Sequence, residues 1–187
     1  MSPEPRPQRA TSGVFAGPDT AGRAAGFSLI EMLTTVSVLA IMLVIASPGL
    51  ASLTSANAVS SAQGELAAAI MLTRAEALKR AAPVGLAAAA PVAGAEFSGG
   101  WTIFVDANGN GVYDAGETVI RSQPAFHSDV RVSTGSGATA VAFNGRGFLA
   151  PFANVIFSVC SSYASKSYQL RLEPVGLADV SETTGCP

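Results

Sequence analysis

Charge is scarce in this chain. Lys, Arg, Asp and Glu make up 13% of its 187 residues, about half the usual share. The formal net charge is −2, a balance that gives no bulk attraction to nucleic acid. Histidine occurs once, at His127, and a lone histidine is by default a surface residue. There is no His–Ser–Asp set, no P-loop and no HExxH run, and the carboxylates outside one loop are scattered. The chain is therefore expected not to be an enzyme. Cysteine occurs only at Cys160 and Cys186, with no CxxC, which excludes a zinc ribbon. Their best use is one disulfide, formed in an oxidising compartment and stabilising by roughly 3 kcal/mol in the chain-entropy picture. Two unrelated thiols are the alternative. The single tryptophan, Trp101, reads as a core or sheet-face residue.

What the chain has is apolar residues, 49% of the total. Many of them stand together. Residues 1–26 are rich in Pro, Gly and Ala and carry Arg6, Arg9 and Arg23, a composition that predicts disorder and favours the cytoplasmic side. From Phe27 to Ala46 the only charge is Glu31, and none follows from Met32 to Gly64. Such a run, as helix, matches the hydrocarbon core of a bilayer. An ordinary signal peptide would explain the basic leader and the apolar run. It would not explain a carboxylate inside the run, where an unpaired charge is costly.

The stretch GFSLIE, Gly26 to Glu31, resembles the cleavage motif of type IV prepilins. The resemblance implies that a prepilin peptidase cuts between Gly26 and Phe27 and methylates the new N-terminus at Phe27. The new ammonium group would then lie in the membrane-embedded end of the helix. Glu31 is the carboxylate able to pair with it, within a subunit or on a neighbour in a filament, and low dielectric makes that pairing strong and register-setting. Pro48 stands where pilins commonly carry proline. It lacks an amide hydrogen, and with Gly49 beside it a kink or local melting of the helix is expected.

Beyond Pro48, Val59, Leu66, Ile70 and Ala77 recur at helical spacing, and charges return only from Glu65. This half of the helix reads as amphipathic, with one face for a sheet to cover, and Pro83 ends it. The segment Leu72–Leu86, with Arg74, Glu76, Lys79 and Arg80, resembles the helix end of the GspH/FimT-like group, which joins the minor pseudopilin H of type II secretion and the FimT-like minor pilins. The same charges also read as a solvated helix face with supporting ion pairs.

After Val84 short strand-like runs alternate with turn residues: VGLAAAA, GWTIFVDA, ETVIRSQ, VRVST, AVAFNGRGF, NVIFSVC and SYQLRLEP. They predict an antiparallel β-sandwich or a strongly bent sheet. Between two of them lies DANGNGVYDAGE. Asp106, Asn108, Asn110, Asp114 and Glu117 fit a calcium-loop pattern, with Gly111 at the glycine position. Yet both flanks read as strand, and Asn, Asp and Gly also build tight turns. A plain β-hairpin connection with no metal is expected, and calcium is the second reading.

The expected fold is α+β and pilin-like. A leader occupies 1–26, a transmembrane half-helix 27–47, an amphipathic half-helix 48–82 and a β-rich periplasmic head 83–187. The resemblance also implies a cysteine bridge between strand and C-terminus, here Cys160 to Cys186. It implies as partners a prepilin peptidase, other pilins or pseudopilins, an inner-membrane assembly platform, and membrane lipid before assembly. It leaves two roles open: a minor pseudopilin of type II secretion, or a FimT-like minor type IV pilin that assists pilus assembly or DNA uptake. DNA-binding members carry a Gly-Arg-x-Arg-like motif near the C-terminus. Here Gly176 is followed by Leu177 and Asp179 in the arginine places, with Glu182 beyond. From Phe27 onward eight Lys and Arg face eleven Asp and Glu, a formal −3. Asn144-Gly145-Arg146-Gly147 keeps one arginine but reads as a turn. DNA is not an expected partner, and the secretion role is preferred.

Overall fold

The computed structural model describes residues 26–186, with side chains described at all of these except 46–48. The leader before Gly26 lies outside the described residues. Two compact units divide the chain, Met1–Met42 and Leu43–Pro187.

In the first unit helix α1 (Leu29–Arg80) begins. Ser28 caps it, accepting the Glu31 amide hydrogen at its hydroxyl (3.2 Å). Leu29, Ile30, Leu33, Val36, Leu39 and Ile41 are all exposed. The few hydroxyls turn inward: Thr34, Thr35 and Ser37 donate to the carbonyls of Glu31, Met32 and Leu33. Apart from the Glu31 carboxylate, an apolar exterior with its hydroxyls turned onto the backbone suits lipid rather than water. No single helix among the described residues is long and apolar enough to cross a membrane; Leu29–Ile45 and Gly49–Arg80 pass that test of length and composition only when taken as a pair. The backbone at Pro48 and Gly49 remains helical, while the side chain of Pro48 lies outside the described residues.

In the second unit α1 has one buried face. Ser55, Val59, Ala62, Leu66, Ala69, Ile70, Thr73 and Ala77 are covered, at steps of mostly three and four residues, the repeat of one helix face. The four positions marked by sequence spacing all belong to it. The helix closes with Ala81 in a left-handed conformation (φ 49°) and the Ala82 amide donating to the Ala77 carbonyl (3.3 Å), a wrap that satisfies orphan carbonyls.

The strands are β1 (Val84–Ala88), β2 (Trp101–Val105), β3 (Val119–Gln123), β4 (Arg131–Thr134), β5 (Ala140–Phe143), β6 (Leu149–Ala150), β7 (Val155–Cys160), β8 (Ser167–Leu172) and β9 (Ala178–Thr183). They form two antiparallel sheets, ordered β3-β2-β1-β5-β6 and β4-β7-β8-β9. Leu66 and Ile70 from the helix, Leu86 and Phe143 from one sheet, and Phe157 and Leu170 from the other join one buried cluster. The fold is thus α+β, a long helix followed by antiparallel sheets. One strand is not among the runs the sequence marks, and one marked run divides at the turn its Asn-Gly-Arg-Gly residues indicate. The run AVAFNGRGF is broken by a turn at 144–147, with β6 following it. ADVSET, too polar to read as strand, is β9, held by its ladder to β8.

Candidate functional site

At the N-terminal end, Gly26 to Ser28 precede the helix, and nothing lies within 4 Å of where a Gly26 Cβ would stand. Phe27 is exposed. Glu31 sits in the first turn of α1 and makes no ion pair among the described residues.

The loop 106–117 joins β2 to β3 as a hairpin connection. Its geometry follows from where its acceptors point. Asp106, only 1% exposed, accepts the amide hydrogens of Gly109 (2.8 Å), Asn110 (3.1 Å) and Gly111 (2.8 Å). Gly109 and Gly111 allow this because both take positive φ, 72° and 74°. Asp114 accepts from the side-chain amides of Asn108 (2.9 Å) and Asn110 (2.8 Å). Those two bonds, Asn108 first, hold its carboxyl below the ordinary value. Glu117 closes the loop by accepting from the Ala107 and Asp114 amides, each at 2.9 Å. All three carboxylates thus accept N–H donors of the loop itself. Among the described residues no group of three or more His, Cys, Asp or Glu is arranged to hold a metal ion. Tyr113 shows what the loop does cover. Its ring lies 5.2 Å from that of Phe104, which is fully buried on the face where a Gly85 Cβ would strike its ring.

Cys160, at the end of β7, is bonded to Cys186, with Cα atoms 5.4 Å apart. Ser167 adds to that tether, donating to the Gly185 carbonyl (2.7 Å) and meeting the Thr183 hydroxyl.

The basic side chains near the tail are answered by acids. Lys166 and Glu182 pair at 2.9 Å, and that bond raises the Lys166 pKa. Arg171 lies directly across the ladder from Asp179. The 144–147 segment is a turn, as its composition indicated: Gly147 donates to the Asn144 carbonyl, and the Asn144 side chain accepts from the amides of Arg146 and Phe148.

Arg74 is the residue whose role spacing alone did not show. Its Nε donates to the Gly147 carbonyl (3.1 Å) and its Nη2 to the Val175 carbonyl (2.9 Å). One helix side chain thereby ties down the β5–β6 turn and the β8–β9 turn. Both turns favour glycine, since Gly147 and Gly176 take positive φ, 76° and 80°, and a Cβ at Gly176 would also strike the Gly147 carbonyl oxygen. By contrast, Glu76 with Lys79 and Arg80 forms the helix-supporting pairs the sequence suggested, at 3.2 and 2.8 Å. His127 is an exposed residue beside Asp129, and Trp101 is buried.

Residues 62–176 match the family described as Type II transport protein GspH. Residues 22–47 match the prokaryotic N-terminal methylation motif. Among solved structures, two crystal forms of the type IV minor pilin FimU of Pseudomonas aeruginosa (strain PAO1) share the fold. One gives a TM-score of 0.55 at 19% identity, covering 68% of this chain and 99% of that one. The other gives 0.57 at 20% identity, covering 70% and 96%. No curated protein matches the chain.

Proposed function

Since this chain belongs to the GspH family of type II transport proteins, we propose that it serves as a minor pseudopilin of a type II secretion system. It is a minor pilin- or pseudopilin-like protein, made to be processed by a prepilin peptidase and to assemble with other pilins. In the secretion role it is a structural subunit and not an enzyme, and it helps a periplasmic pseudopilus move folded proteins across the outer membrane. The peptidase cuts at Gly26 and methylates Phe27. The helix from Phe27 anchors the chain in the inner membrane, N-terminus cytoplasmic and head periplasmic, until the assembly platform draws it into the filament. No cofactor is needed, and the 106–117 loop works as a hairpin.

The acidic tail carries this choice over DNA uptake. Leu177 and Asp179 occupy the arginine places, Glu182 engages Lys166, and Asp179 faces Arg171. Few phosphate contacts remain to release counterions. Full-length protein in detergent is expected to show no DNA binding at low salt. Deletion of the gene is expected to stop export of secreted enzymes while leaving surface pili in place. Lost pili or lost DNA uptake with export intact would instead place the chain in a type IV pilus, the second reading.

A further inference from the structure

Every sheet edge presents unpaired backbone N–H and C=O groups, and proteins usually protect them. Among the described residues three of the four edges here are short or irregular. β6 has two residues and β4 four, while the β2–β3 register shifts between Ile103 and Phe104. β9 differs: six residues, in unbroken register with β8 from Ala178 to Thr183, with no proline. Its outward groups follow from the ladder. Glu173 donates to the Leu177 carbonyl (2.8 Å), so in the alternation of an antiparallel pair Asp179 is bonded to β8 and Ala178, Val180 and Glu182 direct N–H and C=O outward.

The same residues share a face with Leu170 and Leu172, which are fully buried. Val180 is on that apolar face and yet 43% exposed. Beside it an apolar groove of 360 Å³ runs between α1 and the start of β9, lined by Met71, Arg74, Leu78, Gly176, Leu177 and Ala178. Met71 and Leu177 are exposed by 62% and 60%. The Arg74 bond to the Val175 carbonyl fixes the groove's β-side wall. A free strand edge next to a helix-walled apolar groove is the geometry in which an extended peptide adds to a sheet, its backbone bonding the edge and a side chain filling the groove.

We infer that the free edge of β9 takes an added strand from a different polypeptide chain, with one of that strand's apolar side chains seated in the groove between α1 and the β8–β9 turn. A second copy is disfavoured because β8, β9 and their flanks carry Glu173, Asp179 and Glu182 against Lys166 and Arg171, and pairing β9 with itself would double that excess of negative charge. The same carboxylates favour a partner strand that alternates apolar and basic residues. The choice between secretion and pilus machinery does not enter, so a failure here would leave the secretion role standing, and the converse.

The test uses full-length protein in detergent and a labelled peptide alternating valine and lysine, followed by fluorescence anisotropy. Saturable binding is expected. Val180→Pro removes an outward N–H and no ladder bond, a substitution that edge strands tolerate. It is expected to weaken binding at least about tenfold with an unchanged melting profile. Leu177→Glu, on the exposed groove wall, is expected to weaken it similarly and guards against misfolding of the proline variant. No saturable binding by the wild type, or equal binding by both variants, would overturn the inference. So would self-association, seen by light scattering, that Val180→Pro abolishes, because a second copy would then occupy the edge.

Discussion

The two halves of α1 obey different solvents. Toward the N-terminus apolar side chains stand on every face, and the hydroxyls of Thr34, Thr35 and Ser37 are spent on the helix's own carbonyls. Toward the C-terminus apolar residues keep to one stripe, from Val59 to Ala77, and that stripe is buried under two sheets. A helix apolar all round needs a surrounding of lipid or other helices, whereas an amphipathic one finds its partner within its own chain. One helix thus divides assembly from folding: its first half awaits other molecules and its second half organises the head.

The sharpest way to break that division is at Glu31. Glu31→Ala is expected to leave cleavage after Gly26 and the melting of the head unchanged, while nearly abolishing incorporation into filaments, as read by shearing or cross-linking. Gly26→Trp should stop processing itself, visible as an unshifted mass. Wild-type incorporation of Glu31→Ala would show that the membrane half assembles by packing alone. Next in size is a paired truncation. Leu66 is fully buried and Leu39 is 58% exposed. Leu66→Ala should cost about 2–5 kcal/mol, followed through the fluorescence of Trp101, the single tryptophan. Leu39→Ala should leave that transition where it was. Equal losses would mean that the head depends on the membrane half for its stability.

How much of this was legible in sequence follows the same division. The apolar run and the stripe of Val59, Leu66, Ile70 and Ala77 were both visible, because helix periodicity is a local property. The Asp–Asn–Gly loop was legible as a turn, but its calcium-like pattern could not show which way the carboxylates point. That depended on Gly109 and Gly111 adopting positive φ and turning their amides onto Asp106. β9 was not legible at all. Its alternation is short, two apolar residues among four polar ones, and the ladder to β8 is what makes it a strand. Arg74 was hidden for a related reason: an arginine near a helix end looks solvated until two distant turns bring carbonyls to it.

A smaller effect than Leu66 is expected at the tether. The Cys160–Cys186 bond closes 26 residues that include β8 and β9. Cys186→Ser should destabilise the head by roughly 3 kcal/mol in the chain-entropy picture, measured by denaturant unfolding under oxidising conditions. The peptide-binding edge should loosen with it. An unchanged midpoint would mean that the Ser167 bonds alone hold the tail.

The smallest expected effect separates two carboxylates. Glu31 finds no partner among the described residues, but Glu96 is complete within the head. It is 4% exposed and accepts the amide hydrogens of Gly94 (2.8 Å) and Thr134 (2.9 Å), binding the segment before β2 to β4. Burial is the largest single influence on its pKa and acts upward. The amide hydrogens of Thr134, of Glu96 itself and of Gly94 together outweigh it, so the folded value lies below the ordinary 4.5. A group with a lowered folded pKa contributes stability that is complete above its unfolded value and disappears as pH falls through the folded one. Head stability should therefore decline on acidification from about pH 5 downward. Glu96→Gln should flatten that decline and cost about 1–3 kcal/mol at neutral pH, because an amide in that place faces a donor with a donor. Glu31→Gln should leave the head's pH profile untouched. If both variants changed it alike, the membrane half would be contributing to the folding of the head, and the boundary within α1 would not be one between solvents.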